Sequence, residues 1–325
     1  LEGLRAADRD SISRFGRGSA MAQPFHHPIL PLCDDLDRET EVVWGLTYFS
    51  MVFGRPAEGM WLSETAIDTA SLEAVAKHGV EYVIVAPHQV EAIELDSGEW
   101  RSVEGADVVN RAFRIDLPSG RSVAAVVYDG VVSQAVAFEG LLHSGDRLAN
   151  RLSDASQATG FVLIATDGES YGHHHAYGEM ALAYAQEQID ARSDCRLTNV
   201  ASWLERNPPT VRGRIRERSS WSCAHGVGRW SEDCGCVVDP GRGWHQRWRG
   251  PFRDALEGLR DKARASIGPL GATLFKDPDA ARNAYAEVIG KPSEFEAWYG
   301  NHAGSSPDAS QARQWLEIQR RLLAM

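Results

Sequence analysis

Two carboxylates in this sequence are placed as if to work together: Glu64 in "EGMWLSETA" and Asp167 in "FVLIATDGESYGHHH". Retaining cleavage of a glycosidic bond needs one carboxylate as nucleophile and one carboxylic acid to protonate the leaving oxygen, about 5 Å apart across the bond. The nucleophile stays ionised through hydrogen bonds, whereas the acid keeps its proton through burial or a neighbouring negative charge. Glu169, just beyond Asp167, is the neighbour that would supply such a charge. The run His173, His174 and His175 offers metal ligands instead, but consecutive side chains on a loop point in different directions and rarely meet at one ion. A second metal-type set is Cys223, His225, Cys234 and Cys236. Its ligand types suit a structural zinc, yet its C-x-H and C-x-C pairs are tighter than the usual gaps, and the alternative is reduced cysteines packed in a loop. No cofactor and no metal are expected; these four are the candidates if an ion is bound.

The elements that must position these groups are short apolar runs closing on polar residues. "EGMWLSE", "YVIVAPHQ", "SVAAVVYDG" and "FVLIATDGE" read as buried strands, and helix-period segments such as "RETEVVWGLTYFSMVFG", "TASLEAVAKHG" and "MALAYAQEQIDAR" separate them. Strands alternating with helices predict an α/β fold with a parallel sheet. Glu64, His88 with Gln89, Asp129, and Asp167 with Glu169 all fall just past the carboxyl end of a strand, the edge where α/β barrels build their active sites. From about Val211 the composition changes to a loop rich in Trp, Gly, Cys and His, and beyond Pro251 it becomes helical, with Gly and Pro between helices. Two domains are expected: residues 1–210, the catalytic barrel portion, and residues 211–325, the aromatic, Cys-rich loop plus a helical domain. Trp244 and Trp248, four apart ahead of a helix, are expected in the core.

Charge and composition exclude other classes. The chain has 325 residues and a formal net charge of −11, which disfavours nucleic acid and anionic membrane surfaces as partners. No apolar run is long enough to span a bilayer and no signal peptide is recognisable, so a cytoplasmic location is expected. Five cysteines, an odd number in a chain of this size, favour reduced thiols. The sequence opens on Leu1 and closes inside the helix-like "QARQWLEIQRRLLAM", and so reads as an internal piece of a longer protein.

The stretches "GRGSAMAQPFHHPILPL", "EGMWLSETA", "YDGVVSQAVAFEG" and "IATDGESYGHHH" resemble, in order and spacing, glycoside hydrolase family 57, and are most similar to a branch of unassigned specificity. The resemblance implies a (β/α)7-type barrel, incomplete at its N-terminal end because no "HQP"-type first motif is present, followed by a mainly helical C-terminal domain. It implies a retaining hydrolase or transglycosylase acting on α-glucans, with Glu64 as nucleophile and Asp167 as acid/base. His27, Asp129, His173 and His174 fall in segments similar to the family's motifs and would contact sugar, with Glu169 tuning the acid. "SSWSCAH" resembles the family's last motif, which adds Trp221 and His225; Trp61 and Trp230 complete an aromatic lining suited to the apolar faces of sugar rings. Ser63 stands where the family usually has proline. Two other readings remain: a carbohydrate-binding protein with impaired catalysis, and a zinc-dependent deacetylase- or mannosidase-like barrel.

Overall fold

The computed structural model describes residues 1–237 and 239–325. The chain forms two units that interleave along the sequence, one from Leu1–Ala20 with Glu81–Arg216, the other from Met21–Val80 with Glu217–Met325.

In the first unit, the apolar run after Glu81 becomes the strand Tyr82–Val85, buried at every position as a strand covered on both faces must be. It pairs in parallel with Ser122–Val127, Tyr82 opposite Ala124 and Val85 opposite Val127. The alternating strand Ala112–Asp116 then adds antiparallel to Ser122–Val127. A second, antiparallel sheet joins Trp100–Ser102, Val90–Glu94 and Gly213–Ile215, with a register shift between Val90 and Ala92. The helices Gly130–Phe138, Gly145–Thr159 and Gly178–Asp190 bury Val136, Leu142, Leu148, Ala185 and Ile189 against one another. Their punctuation is chemical: Asp129 and Ser144 accept from Val132 and Arg147 N–H groups at the N-termini, and Gly160 ends the second helix at φ 77°.

Two expectations differ here. "FVLIATDGE" pairs with no strand among the described residues; its backbone is held at Leu163, whose carbonyl accepts from Asp129 N–H (2.7 Å), and by the side chains of Asn110 and Ser133. Side chains replace the ladder there, which apolar content alone does not reveal. "EGMWLSE" supplies only the two-residue strand Gly59–Met60, because the chain turns at Glu64 and Thr65, both at positive φ.

In the second unit, the helix Asp35–Phe53 starts at Asp34, whose carboxylate accepts from Asp37 N–H, and stops at Gly54 (φ 72°). The helix Thr69–Lys77 is capped by Asp68, whose carboxylate accepts from Ser71 N–H. The expected C-terminal helices form as Arg249–Leu274, Pro278–Ala284, Phe295–His302 and Ala309–Leu323. Trp44, from the helix Asp35–Phe53, shares a core with Leu274, Phe275, Tyr285, Trp298, Trp315 and Leu316. Trp244 and Trp248 are not in that core, being 63% and 55% exposed. Each instead packs beneath a cation, Trp244 under Arg242 and Trp248 under Arg249, which satisfies the ring without burying it. Among the described residues no helix is long and apolar enough to cross a membrane.

Candidate active site

Glu64 sits on a strained turn. Its φ is 57° and that of Thr65 is 49°, the left-handed region that side chains rarely adopt and that costs on the order of 1 to 3 kcal/mol per residue. The segment Ser219–Trp221 holds the turn in place. Ile67 and Ser219 exchange both backbone bonds, at 2.9 and 3.2 Å. Trp221 N–H donates to the Glu64 carbonyl at 3.1 Å and reaches Thr65 Oγ1 at 3.0 Å, while its indole Nε1–H donates to Glu64 Oε2 at 3.0 Å. Trp61 stands edge-on to Trp221, with ring centroids 5.0 Å apart. A half-buried carboxylate fixed by an indole donor, with an aromatic pair beside it, combines an anion and an apolar wall. Ser63, the residue before it, is buried and its hydroxyl has no hydrogen-bond partner among the described residues.

The same unit carries a cavity of about 430 Å³ lined by His26, Cys33, Asp37, Trp230, Trp248 and Phe252 among others. His27 is exposed at φ 59° and lies outside that lining. Its neighbour His26 turns inward: Nδ1 is 2.7 Å from Glu41 Oε1, and the His26 backbone N–H donates to Glu41 Oε2 at 2.8 Å. Glu41 is fully buried, so this pair is a polar anchor in the cavity wall. The sequence signal for it was a glutamate on the buried stripe of "RETEVVWGL". Burial, reinforced by the Glu41 and Asp37 carboxylates, pushes the Cys33 thiol up to about 12, leaving it protonated and unreactive. Trp230 is half-buried on this cavity, and His225 is exposed elsewhere on the same loop.

In the first unit, Asp167 is exposed at the start of the single turn Gly168–Ser170, and its carbonyl accepts from Ser170 N–H. Glu169, His173 and His174 are exposed in the turn that follows; Glu169 O accepts from His174 N–H at 2.8 Å and the two histidine rings lie 5.0 Å apart. His175 faces the other way, its Nε2–H donating to Ala137 O at 2.8 Å, which fixes the tautomer and takes that nitrogen out of any ligand set. Gly172, at φ 105°, leaves room for the Glu179 carboxylate, 2.9 Å from where a Cβ would stand. Asp129 is buried as a helix cap: Oδ1 accepts from Val132 N–H and Oδ2 from the Asn110 amide, at 2.9 and 3.0 Å. Gln89 is likewise buried, its Oε1 accepting from Ala86 N–H, while His88 is exposed.

Comparison with known proteins places these features in a family context. Residues 10–215 match the sequence model described as Glycosyl hydrolase family 57, and residues 244–325 match one described as a domain of unknown function, DUF3536. Alpha-amylase 1 of Dictyoglomus thermophilum is 34% identical over 61 residues, which is 19% of this chain and 9% of that protein. The exo-type maltose-forming amylase of Pyrococcus sp. ST04 is similar in structure at TM-score 0.65 and 15% identity, over 94% of this chain and 56% of that one. A branching enzyme from Thermococcus kodakaraensis is similar at TM-score 0.59 and 14% identity, over 99% of this chain and 68% of that one. This chain therefore spans about half the length of the amylase structure and a small part of the curated amylase. At such identities the likeness shows the fold, and it bears out the expected α/β class of the (β/α)7-barrel type with a helical C-terminal region.

Proposed function

The chain belongs to glycosyl hydrolase family 57, and from that premise we propose that it acts on α-glucans by double displacement with retention of configuration. Glu64 attacks the anomeric carbon; Asp167 protonates the departing oxygen and then deprotonates the acceptor. The observation that carries the reading is the Glu64 turn, where strained backbone and an indole donor hold one carboxylate in a fixed direction beside two tryptophans. A nucleophile benefits from such preorganisation because its orientation cost is met on folding rather than during reaction. Asp167 stands exposed at the head of a turn, open to an acceptor, and Glu169 two residues on is the neighbouring charge that the acid role calls for in place of burial. Trp61 and Trp221 would stack on the sugar next to the reacting carbon, and Trp230 with the neighbouring cavity would take further sugar units. Whether the acceptor is water or a sugar hydroxyl depends on how fully water is excluded, so both hydrolysis and glycosyl transfer fall within the proposal.

The test is cleavage of maltooligosaccharides and amylose by the full protein, with product anomers followed by NMR. Glu64→Gln and Asp167→Asn are each expected to lower kcat by about 10² to 10⁴-fold, with the α-anomer as first product of the parent. Undiminished cleavage in both variants, or initial release of the β-anomer, refutes the assignment. Glucan binding by the parent without any bond cleavage would instead establish the binding-protein reading.

A further inference from the structure

Cys223, His225, Cys234 and Cys236 converge in the second unit, their ligand atoms all within 4.8 Å of one another. Cys223 Sγ lies 3.5 Å from Cys236 Sγ and 3.7 Å from His225 Nδ1, and Cys236 Sγ lies 3.5 Å from the same nitrogen. A tetrahedral zinc with Zn–S near 2.3 Å and Zn–N near 2.0 Å has ligand-to-ligand edges of about 3.5 to 3.8 Å. Hydrophobic packing does not account for this convergence, because Cys223 alone is buried, Cys234 and Cys236 are half-buried and His225 is exposed. None of the four is in a disulfide.

The local backbone overcomes the tight sequence spacing. Gly235, between the second pair, has φ 81°, and Gly226, just after the first pair, has φ 65° with its Cα so close to Arg218 that a Cβ would stand 2.1 Å from the Arg218 carbonyl. These left-handed residues bend both arms back on themselves. A donor for a thiolate is also present, the His225 backbone N–H, which points at Cys223 Sγ (3.3 Å). Gln246 braces the second arm, its Oε1 accepting from the Cys234 thiol (3.3 Å) and its Nε2 donating to the Cys236 carbonyl.

We infer that these four residues bind a structural zinc ion in a closed Cys₃His site. On binding, each of the three thiols releases a proton to solvent, the neutral imidazole keeps its proton on Nε2 and gives its Nδ1 lone pair, and the ion sheds its waters. With four protein ligands the ion has no open position for substrate, so its role is to pin a loop. That loop begins two residues after Trp221, the donor to Glu64. The site uses none of the proposed catalytic carboxylates and takes His225 as a ligand rather than a sugar contact, so zinc content can be read apart from catalysis.

The test is zinc content, by plasma mass spectrometry, of the full chain produced in zinc-supplemented medium and purified without chelator or histidine tag. About one zinc per chain is expected, retained in Cys33→Ser, Cys195→Ser and Glu64→Gln, and lost in the Cys234→Ser/Cys236→Ser double variant. If the double variant misfolds, the parent stripped by chelator is titrated with Co²⁺; a thiolate-to-cobalt charge-transfer band saturating near one equivalent supports the site. Substoichiometric zinc together with no such band overturns it, as does full zinc in the double variant or a Cys223–Cys236 disulfide in the native protein. Loss of activity in Glu64→Gln with zinc retained separates this inference from the catalytic one.

Discussion

Both polar ends of Glu64, carbonyl and carboxylate, are held by Trp221. Trp221 satisfies its carbonyl through the backbone and its carboxylate through the indole, compensating for positive φ at two successive residues. A hydrogen bond to a charged group contributes about 1.5 to 3 kcal/mol, so Trp221→Phe, which keeps the ring and removes the donor, is expected to lower kcat roughly tenfold or more and to lower the melting temperature by a few degrees. Equal kcat in parent and variant would show that the indole does not orient the nucleophile. A second residue-scale prediction concerns Glu39. Burial pushes this carboxyl up, but hydrogen bonds from Lys77 and His78, each at 2.7 Å, outweigh it and hold the group below its ordinary 4.5. The unfolded chain therefore takes up the proton first; the stabilisation is complete above pH 4.5 and fades as pH falls through the lower native value. Glu39→Gln should cost about 0.5 kcal/mol in urea unfolding at neutral pH and nothing measurable near pH 3. Glu64 and Asp167 could be singled out as candidates because each lies in a short local motif. The His26–Glu41 pair could not, because it depends on which face of a helix is buried.

At the scale of elements, Gly45 shows what periodicity cannot convey. It lies in the middle of the helix Asp35–Phe53, where alanine would ordinarily stabilise by about 1 kcal/mol. A Cβ there would stand 2.0 Å from the Gln23 carbonyl oxygen, because the preceding segment crosses the helix closely enough for Phe25 N–H to donate to Glu41 O. Gly45→Ala is therefore expected to destabilise by about 2 to 4 kcal/mol. Gly258, in the helix Arg249–Leu274 with nothing within 4 Å of its Cβ direction, is the matched control and should gain up to about 1 kcal/mol as alanine. Urea titration of both reads the difference; two similar stabilisations would remove the close-crossing account. The same distinction explains which strands could be read. Tyr82–Val85 and residues 123–127 are apolar and stand out, whereas Ala112–Asp116 carries Arg114 and Asp116 on one face and Val90–Glu94 is interrupted by Glu91 and Glu94, so both resemble loops until their antiparallel partners are known.

For the molecule as a whole, the order of segments matters more than their individual character. The chain leaves the first unit after Ala20, returns at Glu81 and leaves again after Arg216, so the helix Asp35–Phe53 completes its core only with residues more than two hundred positions later. Trp44 Nε1–H donates to the Arg282 carbonyl at 2.8 Å, Arg282 donates to Leu36 O and Thr40 Oγ1, and Arg264 pairs with both Asp34 and Asp37. Composition marked a change near Val211, but no feature of composition says that residues 21–80 bury themselves against the helices beyond that point. Expression of residues 1–210 alone tests that dependence. Removing the later helices strips the Trp44 ring of Tyr285 and the rest of that core, leaving Phe25 and His26 against it, a loss of about 3 kcal/mol or more, and takes away the arginines that pair with Asp37. Such losses take up much of the roughly 5 to 15 kcal/mol by which a native domain is stable. The fragment should be insoluble or should bind a hydrophobic dye and lack a cooperative thermal transition, while the full chain shows one. A fragment that melts cooperatively, with its Trp44 emission as blue-shifted as in the full chain, would mean that the first two hundred residues close their own core.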